Sequence, residues 1–416
     1  MRIALFTDTF PPHLNGVSTY VHKLAEWMGK KHEVAVFTID RENSYEDTGR
    51  YEIYRVKGVT LKSYPDYNYR VIPPYRDLLP VVREFSPDVI HSHSPITMGA
   101  VAELASRRFR VPLISHFHTA LVDFVHQILD SGDPRFFYTR LKPARELFHG
   151  IVDKISYPAF YYYYDDSDAV ISPSEFVTTK LVENGVERGK IIKIPNFISI
   201  PESRMSGEEF REKWGIEDFM VLHVGRLSWE KRIERAIEAV RGMDGVTLVI
   251  TSKGPYRERL MRYASRRGVK NVVFTGFLPQ EELFGAYEAC DVFITPSPYD
   301  TFNISAAQAL AFGKPVIGFR SGITEFVKHG VNGFIADSFD GEVESYRQWI
   351  EMLRDDEELK RRMGKESARE SKRLKVERIM PEIEKLYRSV RYEKYKRRRY
   401  IYYFALFLLF IRTARI

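Results

Sequence analysis

Short apolar runs alternate with amphipathic stretches along the first half of the chain. The runs that predict strands are Arg2–Asp8, Glu33–Ile39, Asp88–His93, Pro112–His118 and Ala169–Pro173. Stretches with helical spacing, such as Val17–Met28 and Thr97–Arg108, separate most of them. Strands of a parallel sheet are covered by helices on both faces, so they are apolar throughout and alternate with helices along the chain. The pattern therefore predicts an α/β domain.

The pattern restarts after IPNFISIPE, a proline-bracketed stretch near Ile194 that is typical of a linker. Further strands are predicted at Met220–Val224, Thr247–Thr251, Val272–Phe274, Val292–Thr295 and Pro315–Gly318. Helices are predicted at Glu230–Arg241, Arg257–Arg267, Glu281–Ala289 and Ser305–Phe312, and the chain is helical after Gly341. We expect two Rossmann-like, doubly wound domains that face each other across a cleft. Such domains bind ligands at the carboxyl ends of their strands.

The predicted boundaries divide the 416 residues into four parts. The two domains span residues 1–195 and 202–375, which is consistent with the size of single hydrophobic cores. A helix at 376–393 and a tail at 394–416 follow. The single cysteine, Cys290, excludes an intramolecular disulfide and favours a reducing compartment. The first residues, MRIALFTDTF, form a strand pattern without a basic leader, which predicts a cytoplasmic protein.

The net charge of +7 arises in the tail, where residues 394–416 include seven basic residues and no acidic ones. The rest of the chain is balanced, which argues against a nucleic-acid partner. Residues 400–411, YIYYFALFLLFI, are too few to span a bilayer, but with basic flanks they suit an anionic membrane surface. We expect peripheral contact with the inner face of the cell membrane, or else a tail packed on the first domain. Residues 136–164 are equally consistent with membrane contact and with core packing.

Two motifs in the first half are candidates for ligand binding. Pro11–Gly16 joins the first strand to the first helix, where a glycine and free backbone N–H groups could hold a phosphate or a sugar, or form a simple turn. Four histidines lie at strand ends: His91, His93, His116 and His118. No carboxylate or cysteine completes a metal-ligand set at the usual spacing, so we expect no metal. His118 is the favoured hydrogen-bond donor to a sugar hydroxyl or phosphate, whereas His116 is as consistent with a structural role.

Two motifs in the second half suit an anionic ligand. Gly225–Lys231 follows a strand, and Arg226 and Lys231 could neutralise a pyrophosphate at the start of the next helix, or be ordinary surface charge. The second motif runs from Tyr299 to Ile317, where a loop leads into a helix of small residues. The N–H groups of Phe302–Ile304 could hold an anion or sugar hydroxyls. Asp300 lies at the mouth of this loop, and Gln308 lies two helical turns further on.

These motifs, in this order, resemble glycosyltransferase family 4, which has the GT-B fold. The matching segments span about residues 3–336 and include FTDTFPPHLNGVSTYV, SHFHTALVDFVHQ, GRLSWEKRIERAIEAV and SPYDTFNISAAQALAFGKPVIG. Within the family, SHFHTALVDFVH is most similar to diacylglycerol glucosyltransferases and related lipid enzymes. The resemblance implies a retaining, metal-independent transfer of a hexose from a UDP- or GDP-linked sugar to a membrane lipid or lipid-linked acceptor. The first domain would bind the acceptor and the second the nucleotide sugar, with no other cofactor.

The resemblance also assigns roles to individual residues. Gly16 would lie against the donor phosphate or the acceptor, and His118 would contact the transferred sugar. Arg226 and Lys231 would stabilise the leaving diphosphate. Asp300 would bind sugar hydroxyls and Gln308 the ribose, where the family usually has a glutamate at each position. The donor-binding residues would thus be Gly16, Arg226, Lys231, Asp300, Phe302, Asn303, Ile304 and Gln308, and the catalytic ones His118, Arg226, Lys231 and Asp300.

No carboxylate stands out as a nucleophile, so we expect front-face displacement, in which positioning and charge stabilisation carry the catalysis. Two alternatives remain open at this stage. One is transfer to a soluble acceptor. The other is a non-catalytic subunit that binds a nucleotide sugar, which the replacements at Asp300 and Gln308 motivate.

Overall fold

The computed structural model describes residues 1–13, 15–60, 70–71, 78–95, 97–118, 157–200 and 205–393. The chain divides into two compact units. Among the described residues, the first unit contains those of Met1–Pro173, Val177–Ile194 and 380–393. The second contains Ser174–Phe176 and Pro195–Ile379, so the chain passes between units at the predicted linker. Residues 380–393 belong to the first unit, whereas the sequence pattern treats 376–393 as a separate helix.

The first unit has an eight-stranded sheet in the order β10-β9-β8-β7-β1-β2-β4-β3. Its strands are β1 (Arg2–Phe6), β2 (Glu33–Asp40), β3 (Ser44–Asp47), β4 (Glu52–Lys57), β7 (Val89–Ser92), β8 (Leu113–His116), β9 (Ala169–Ser172) and β10 (Ile191–Lys193). Only the edge pair formed by β3 and β4 is antiparallel. A separate two-stranded sheet pairs β5 (Val59–Thr60) with β6 (Arg70–Val71).

Helices of the first unit carry apolar faces that pack on this sheet. They are α1 (Gly16–Met28), α2 (Leu78–Phe85), α3 (Thr97–Phe109), α4 (Tyr157–Asp165), α5 (Glu175–Glu183) and, from Met380 on, α13 (Val376–Ser389). Helix α5 begins in the short piece of chain that belongs to the second unit. In α4, Phe160, Tyr161, Tyr163 and Tyr164 are all buried. The described part of the 136–164 stretch is therefore core packing.

The second unit has a six-stranded, fully parallel sheet in the order β13-β12-β11-β14-β15-β16. Its strands are β11 (Phe219–Val224), β12 (Val246–Thr251), β13 (Val272–Gly276), β14 (Val292–Thr295), β15 (Val316–Phe319) and β16 (Gly333–Ala336). Its helices are α6 (Gly207–Trp214), α7 (Ile233–Ala239), α8 (Arg257–Arg266), α9 (Gln280–Ala289), α10 (Ile304–Ala311), α11 (Glu342–Asp355) and α12 (Glu357–Ser371). Buried aliphatic residues of β11, β12 and β14 form the centre of the core.

The observed strands confirm the predicted ones to within one or two residues at their ends. One helix prediction is wrong in detail, because Glu230–Arg241 is not a single helix. Trp229–Lys231 forms a 3-10 turn, Arg232 has φ = 51°, and α7 begins only at Ile233. The helical pattern after Gly341 is confirmed by α11, α12 and α13.

The sequence-based predictions for the membrane fall mostly outside the described residues. The tail at 394–416 and residues 119–156 are not among them. Within the ranges that are described, no helix combines the length and the apolar character needed to cross a bilayer.

Candidate functional site

The two motifs of the second unit meet at one edge of its sheet. Strand β11 pairs with β12 on one side and with β14 on the other. The strand order therefore reverses between β11 and β14, and at such a switch point the loops after the two strands leave a crevice for a ligand. Gly225–Lys231 follows β11, and the loop with Asp300 follows β14. The fold thus brings together residues that lie about seventy positions apart in the sequence.

An ion pair joins these two loops. The Nζ of Lys231 donates a hydrogen bond to Oδ1 of Asp300, and both side chains are largely buried. Burial by itself acts to lower the pKa of the Lys231 ammonium, but the charge of Asp300 and the hydrogen bond to it outweigh burial, so the pKa is raised. The nearby guanidinium of Arg226 opposes this rise. Lys231 is therefore a cation at neutral pH, and two of its three hydrogens remain for other acceptors.

Asn303 organises the same loop through its side chain. Its Nδ2 donates to Oδ2 of Asp300 at 2.6 Å and to Oγ1 of Thr295 at 2.9 Å. Its Oδ1 accepts from the backbone N of Ala306 at 2.9 Å, so Asn303 is the N-cap of α10. The backbone of Asn303 has φ = 68°, a left-handed conformation that asparagine tolerates better than most residues. Asn303 therefore positions Asp300, a role that the sequence did not indicate.

The predicted anion site at Phe302–Ile304 lies at the N-terminal end of α10. The first N–H groups of a helix have no intrahelical acceptor, so those of Ile304 and Ser305 are available to a ligand by geometry. The ring of Phe302 packs against Phe326 with centroids 4.9 Å apart, so only its backbone is suited to bind a ligand. Gly322 holds the loop from behind: its N–H donates to the Asp300 carbonyl at 2.7 Å, and a Cβ there would lie 2.1 Å from the Thr301 oxygen.

Gln308 lies on α10 beside a buried tyrosine. The hydroxyl of Tyr287 donates to Oε1 of Gln308 at 3.3 Å. This contact uses one lone pair of the amide oxygen, so the second lone pair and the NH₂ hydrogens of Gln308 remain for a further partner.

His223 is a residue of this edge that the sequence analysis missed. It is buried near the end of β11, and its Nδ1 bonds the carbonyl of Ile294 at 2.9 Å. Since a carbonyl only accepts, Nδ1 carries the hydrogen and Nε2 is an acceptor. Burial lowers the pKa of His223 to about 4, so the ring is neutral. The sequence signal for His223 was a polar residue within the otherwise apolar run FMVLHV.

The first unit has its own switch point, since β1 pairs with β2 on one side and β7 on the other. Helix α1 begins at Gly16, one residue before the predicted start. Asn15 caps it, accepting from the N–H of Ser18 at 2.9 Å. Nothing lies within 4 Å of the position that a Cβ on Gly16 would occupy. The structure thus places Gly16 at an exposed helix start with open space beside it.

The four histidines come together at the ends of β7 and β8. Nδ1 of His93 lies 2.9 Å from Nε2 of His118, and Nδ1 of His91 lies 2.6 Å from the hydroxyl of Tyr387 in α13. The ring of Tyr20 from α1 packs edge-on against His118, with centroids 5.0 Å apart. Burial lowers the pKa of His118 to about 3 and those of His91 and His93 well below the usual value, so these three rings are neutral.

The expectation that these histidines offer no ligand set rested on their spacing along the chain and is corrected by the fold. Nitrogen atoms of His91, His93 and His116 lie within 4.8 Å of one another, so the three residues could hold a metal ion. Imidazole nitrogen is a common ligand of Zn²⁺. The expected absence of a metal therefore stays a prediction that needs a chemical test.

Comparisons with protein families match both halves of the chain. Residues 14–201 match the model described as glycosyltransferase family 4, and residues 206–370 match glycosyl transferases group 1. Alpha-monoglucosyldiacylglycerol synthase of Streptococcus pneumoniae is 30% identical over 335 residues, which cover 76% of this chain and 70% of that protein. GDP-mannose-dependent alpha-mannosyltransferase of Corynebacterium glutamicum is 28% identical over 353 residues, which cover 82% of this chain and 78% of that protein.

Solved structures agree with this match at the level of the fold. Anabaena HepE in complex with UDP and glucose superposes with a TM-score of 0.68 at 20% identity. The superposition covers 94% of this chain and 100% of the HepE chain. Sucrose-phosphate synthase of Thermosynechococcus elongatus has a TM-score of 0.70 at 19% identity, with coverage of 93% and 98%. The predicted GT-B fold class is confirmed.

Proposed function

Because this chain belongs to glycosyltransferase family 4, we propose that it catalyses the retaining, metal-independent transfer of a hexose from a UDP- or GDP-linked sugar to a membrane lipid or lipid-linked acceptor. That it is a glycosyltransferase follows from the family. The stereochemistry, the donor, the acceptor and the independence of metal are the proposal.

The observation that carries the proposal is the Lys231–Asp300 pair at the switch point of the second sheet. A leaving nucleoside diphosphate develops negative charge, and preorganised cations are the groups that stabilise it best. Asp300 holds the Lys231 ammonium in place, and Arg226 lies close enough to add a second charge. The start of α10 adds backbone N–H donors at the same edge.

The proposed reaction needs no protein nucleophile. The bond between the anomeric carbon and the diphosphate oxygen breaks while Lys231 and Arg226 neutralise that oxygen's phosphate. The acceptor hydroxyl attacks from the same face and gives its proton to the departing oxygen, so the anomeric configuration is kept. Asp300 and His118 hydrogen-bond the transferred sugar, and Gln308 donates its amide hydrogen to the ribose. Positioning and charge stabilisation supply the rate enhancement.

Two observations favour a lipid acceptor. The S. pneumoniae relative is a synthase of a glucosylated diacylglycerol, and the matched region includes most of this chain. The tail combines seven basic residues with the apolar run YIYYFALFLLFI. The C. glutamicum relative is GDP-mannose-dependent, so GDP-mannose is a second candidate donor for this chain.

The direct test is a transfer assay with the purified full chain. UDP-glucose, UDP-galactose and GDP-mannose are each supplied with vesicles that contain diacylglycerol or its monoglucosyl derivative. We expect one donor to yield a glycolipid whose anomeric proton coupling reports the same α configuration as the donor. A β-linked product would contradict retention. Transfer only to soluble sugars would favour the soluble acceptor, and donor binding without transfer or hydrolysis would favour a non-catalytic subunit.

A second test addresses the tail. Deleting residues 394–416 is expected to abolish flotation with anionic vesicles and to leave the melting temperature unchanged. A matched variant replaces only the basic residues by glutamine. It should float less and lose the salt dependence, because each basic residue contributes about 1 kcal/mol near an anionic surface and salt screens that term. Unchanged flotation together with a lowered melting temperature would show that the tail packs on the protein instead.

A further inference from the structure

Two imidazoles face each other at the edge of the first sheet. Nδ1 of His93 and Nε2 of His118 are 2.9 Å apart. Two lone pairs at this distance would repel, so one hydrogen lies between the two nitrogens. The rings are consequently coupled: the nitrogen that donates in one ring decides which nitrogen carries the hydrogen in the other.

The burial of His93 decides between the two arrangements. Its ring is buried, and its Nε2 has no hydrogen-bond partner among the described residues. If His118 donated, Nε2 of His93 would carry a hydrogen, and no described residue has an acceptor within hydrogen-bond distance of it. Orphaned buried N–H groups are rarer than orphaned acceptors. His93 therefore carries its hydrogen on Nδ1 and donates it to His118.

Resting on the proposed function, we propose that His93 is a positioning residue, which fixes His118 in the tautomer with hydrogen on Nδ1 so that His118 presents a hydrogen-bond donor to the transferred sugar. The backbone of His93 is held by its own bond to the Phe6 carbonyl at 2.8 Å. Tyr20 packs against both rings, with centroids 5.9 Å and 5.0 Å away, and keeps them in place. A neutral histidine donates from only one nitrogen, so the choice of tautomer decides whether His118 attracts or repels a sugar oxygen.

Three variants separate this role from packing. In His93→Asn the amide nitrogen is bonded to Cγ as Nδ1 is, so a donor toward His118 is retained, whereas His93→Leu has none. We expect His93→Leu to lower kcat by about 10- to 100-fold with little change in the donor KM, and His93→Asn to recover most of that loss. His91→Leu is the matched control, because His91 lies on the same strand but bonds Tyr387. Equal kcat losses in His93→Leu and His93→Asn would overturn the proposal.

A spectroscopic readout tests the tautomer without turnover. In ¹⁵N-histidine-labelled protein, with His118 assigned by comparison with His118→Gln, we expect the His118 signal to show hydrogen on Nδ1. In His93→Leu, hydrogen should also appear on Nε2. Hydrogen on Nε2 in the unmodified protein would overturn the proposal. If no sugar is transferred at all, the proposed function fails while this spectrum still decides the tautomer.

Discussion

The strand ends of the two units carry opposite kinds of chemistry. In the first unit they hold a cluster of neutral histidines against Tyr20, with burial lowering the imidazole pKa values. In the second unit they hold Lys231, whose pKa is raised because Asp300 outweighs burial, with Arg226 beside it. The same parallel-sheet geometry therefore presents uncharged hydrogen-bonding groups in one unit and fixed charges in the other. Uncharged groups suit sugar hydroxyls, and fixed cations suit a diphosphate.

The largest expected effect comes from removing the charges of the second unit. Lys231→Ala and Arg226→Ala should each lower turnover by about 10²-fold or more, because the leaving diphosphate loses a preorganised cation. Lys328→Ala is the matched control, since Lys328 is an exposed lysine of the same unit. Steady-state rates and melting curves are measured together. Normal turnover in both single variants would remove the diphosphate role and with it the contrast between the units.

The next effect concerns acid stability and should fall mainly on the first unit. His91, His93 and His118 there, and His223 in the second unit, have pKa values below the usual 6.5 of an unfolded chain. Below pH 6.5 the unfolded state binds protons that the folded state does not, so stability falls with falling pH and is unaffected above it. Each histidine contributes about 1.4 kcal/mol per pH unit down to its folded pKa.

Hydrogen–deuterium exchange at pH 7 and pH 5, corrected for intrinsic rates, measures this contrast in the intact protein. Opening free energies for peptides that cover β7 and β8 should fall more than those for β11. The unmodified protein is compared with His223→Gln, in which β11 should lose its acid sensitivity while β7 and β8 keep theirs. Equal losses at β8 and β11 in the unmodified protein would show that carboxylates, rather than the histidine cluster, control acid unfolding.

A smaller effect should follow from adding charge to the second unit. Gln308→Glu is expected to raise donor affinity by up to about tenfold. The carboxylate can accept the Tyr287 hydrogen and still offer charge-assisted bonds to the ribose hydroxyls. Calorimetric titration of the donor into both proteins checks this, with Tyr287→Phe as the control for the tyrosine contact. Weaker binding would mean that the amide N–H, oriented by Tyr287, is the group that the ribose needs.

The smallest expected effect is that of a chelator, which should leave turnover unchanged. In the proposed reaction, Lys231 and Arg226 neutralise the diphosphate in place of a divalent ion. Rates are measured in excess EDTA and again after metal is added back. Loss of activity restored by metal would show that His91, His93 and His116 form a working metal site. The first unit would then carry the charge of a metal ion and would not differ from the second unit in being uncharged.

Much of the fold could be predicted because each strand of a parallel sheet is apolar along its whole length. The runs around β1, β7, β11 and β14 therefore stand out from the helices between them. Edge elements were missed for the same reason. Strand β3 is exposed at every position and has no apolar run to indicate it. The break at Arg232 was also missed, since a single left-handed residue leaves no periodic signal.

The candidate site was partly accessible from sequence. Lys231 and Asp300 lie in loops that follow strands, and the resemblance to glycosyltransferase family 4 gave roles to them and to Gln308. Asn303 was proposed for its backbone, yet in the structure its side chain caps α10 and holds Asp300. His223 and Gly322 were not proposed, because their contacts join segments that are distant along the chain.

By itself the sequence determined the alternation of strands and helices, the division near Ile194, and the residue types at the strand ends. These depend on local periodicity and on side-chain chemistry, which a linear pattern carries. Only the tertiary structure decided that Lys231 pairs with Asp300, that Tyr287 orients Gln308, and that His93 lies against His118. Such pairs form where strand order brings distant loops to one edge of a sheet. Burial there sets each pKa, and neither strand order nor burial is a property of spacing along the chain.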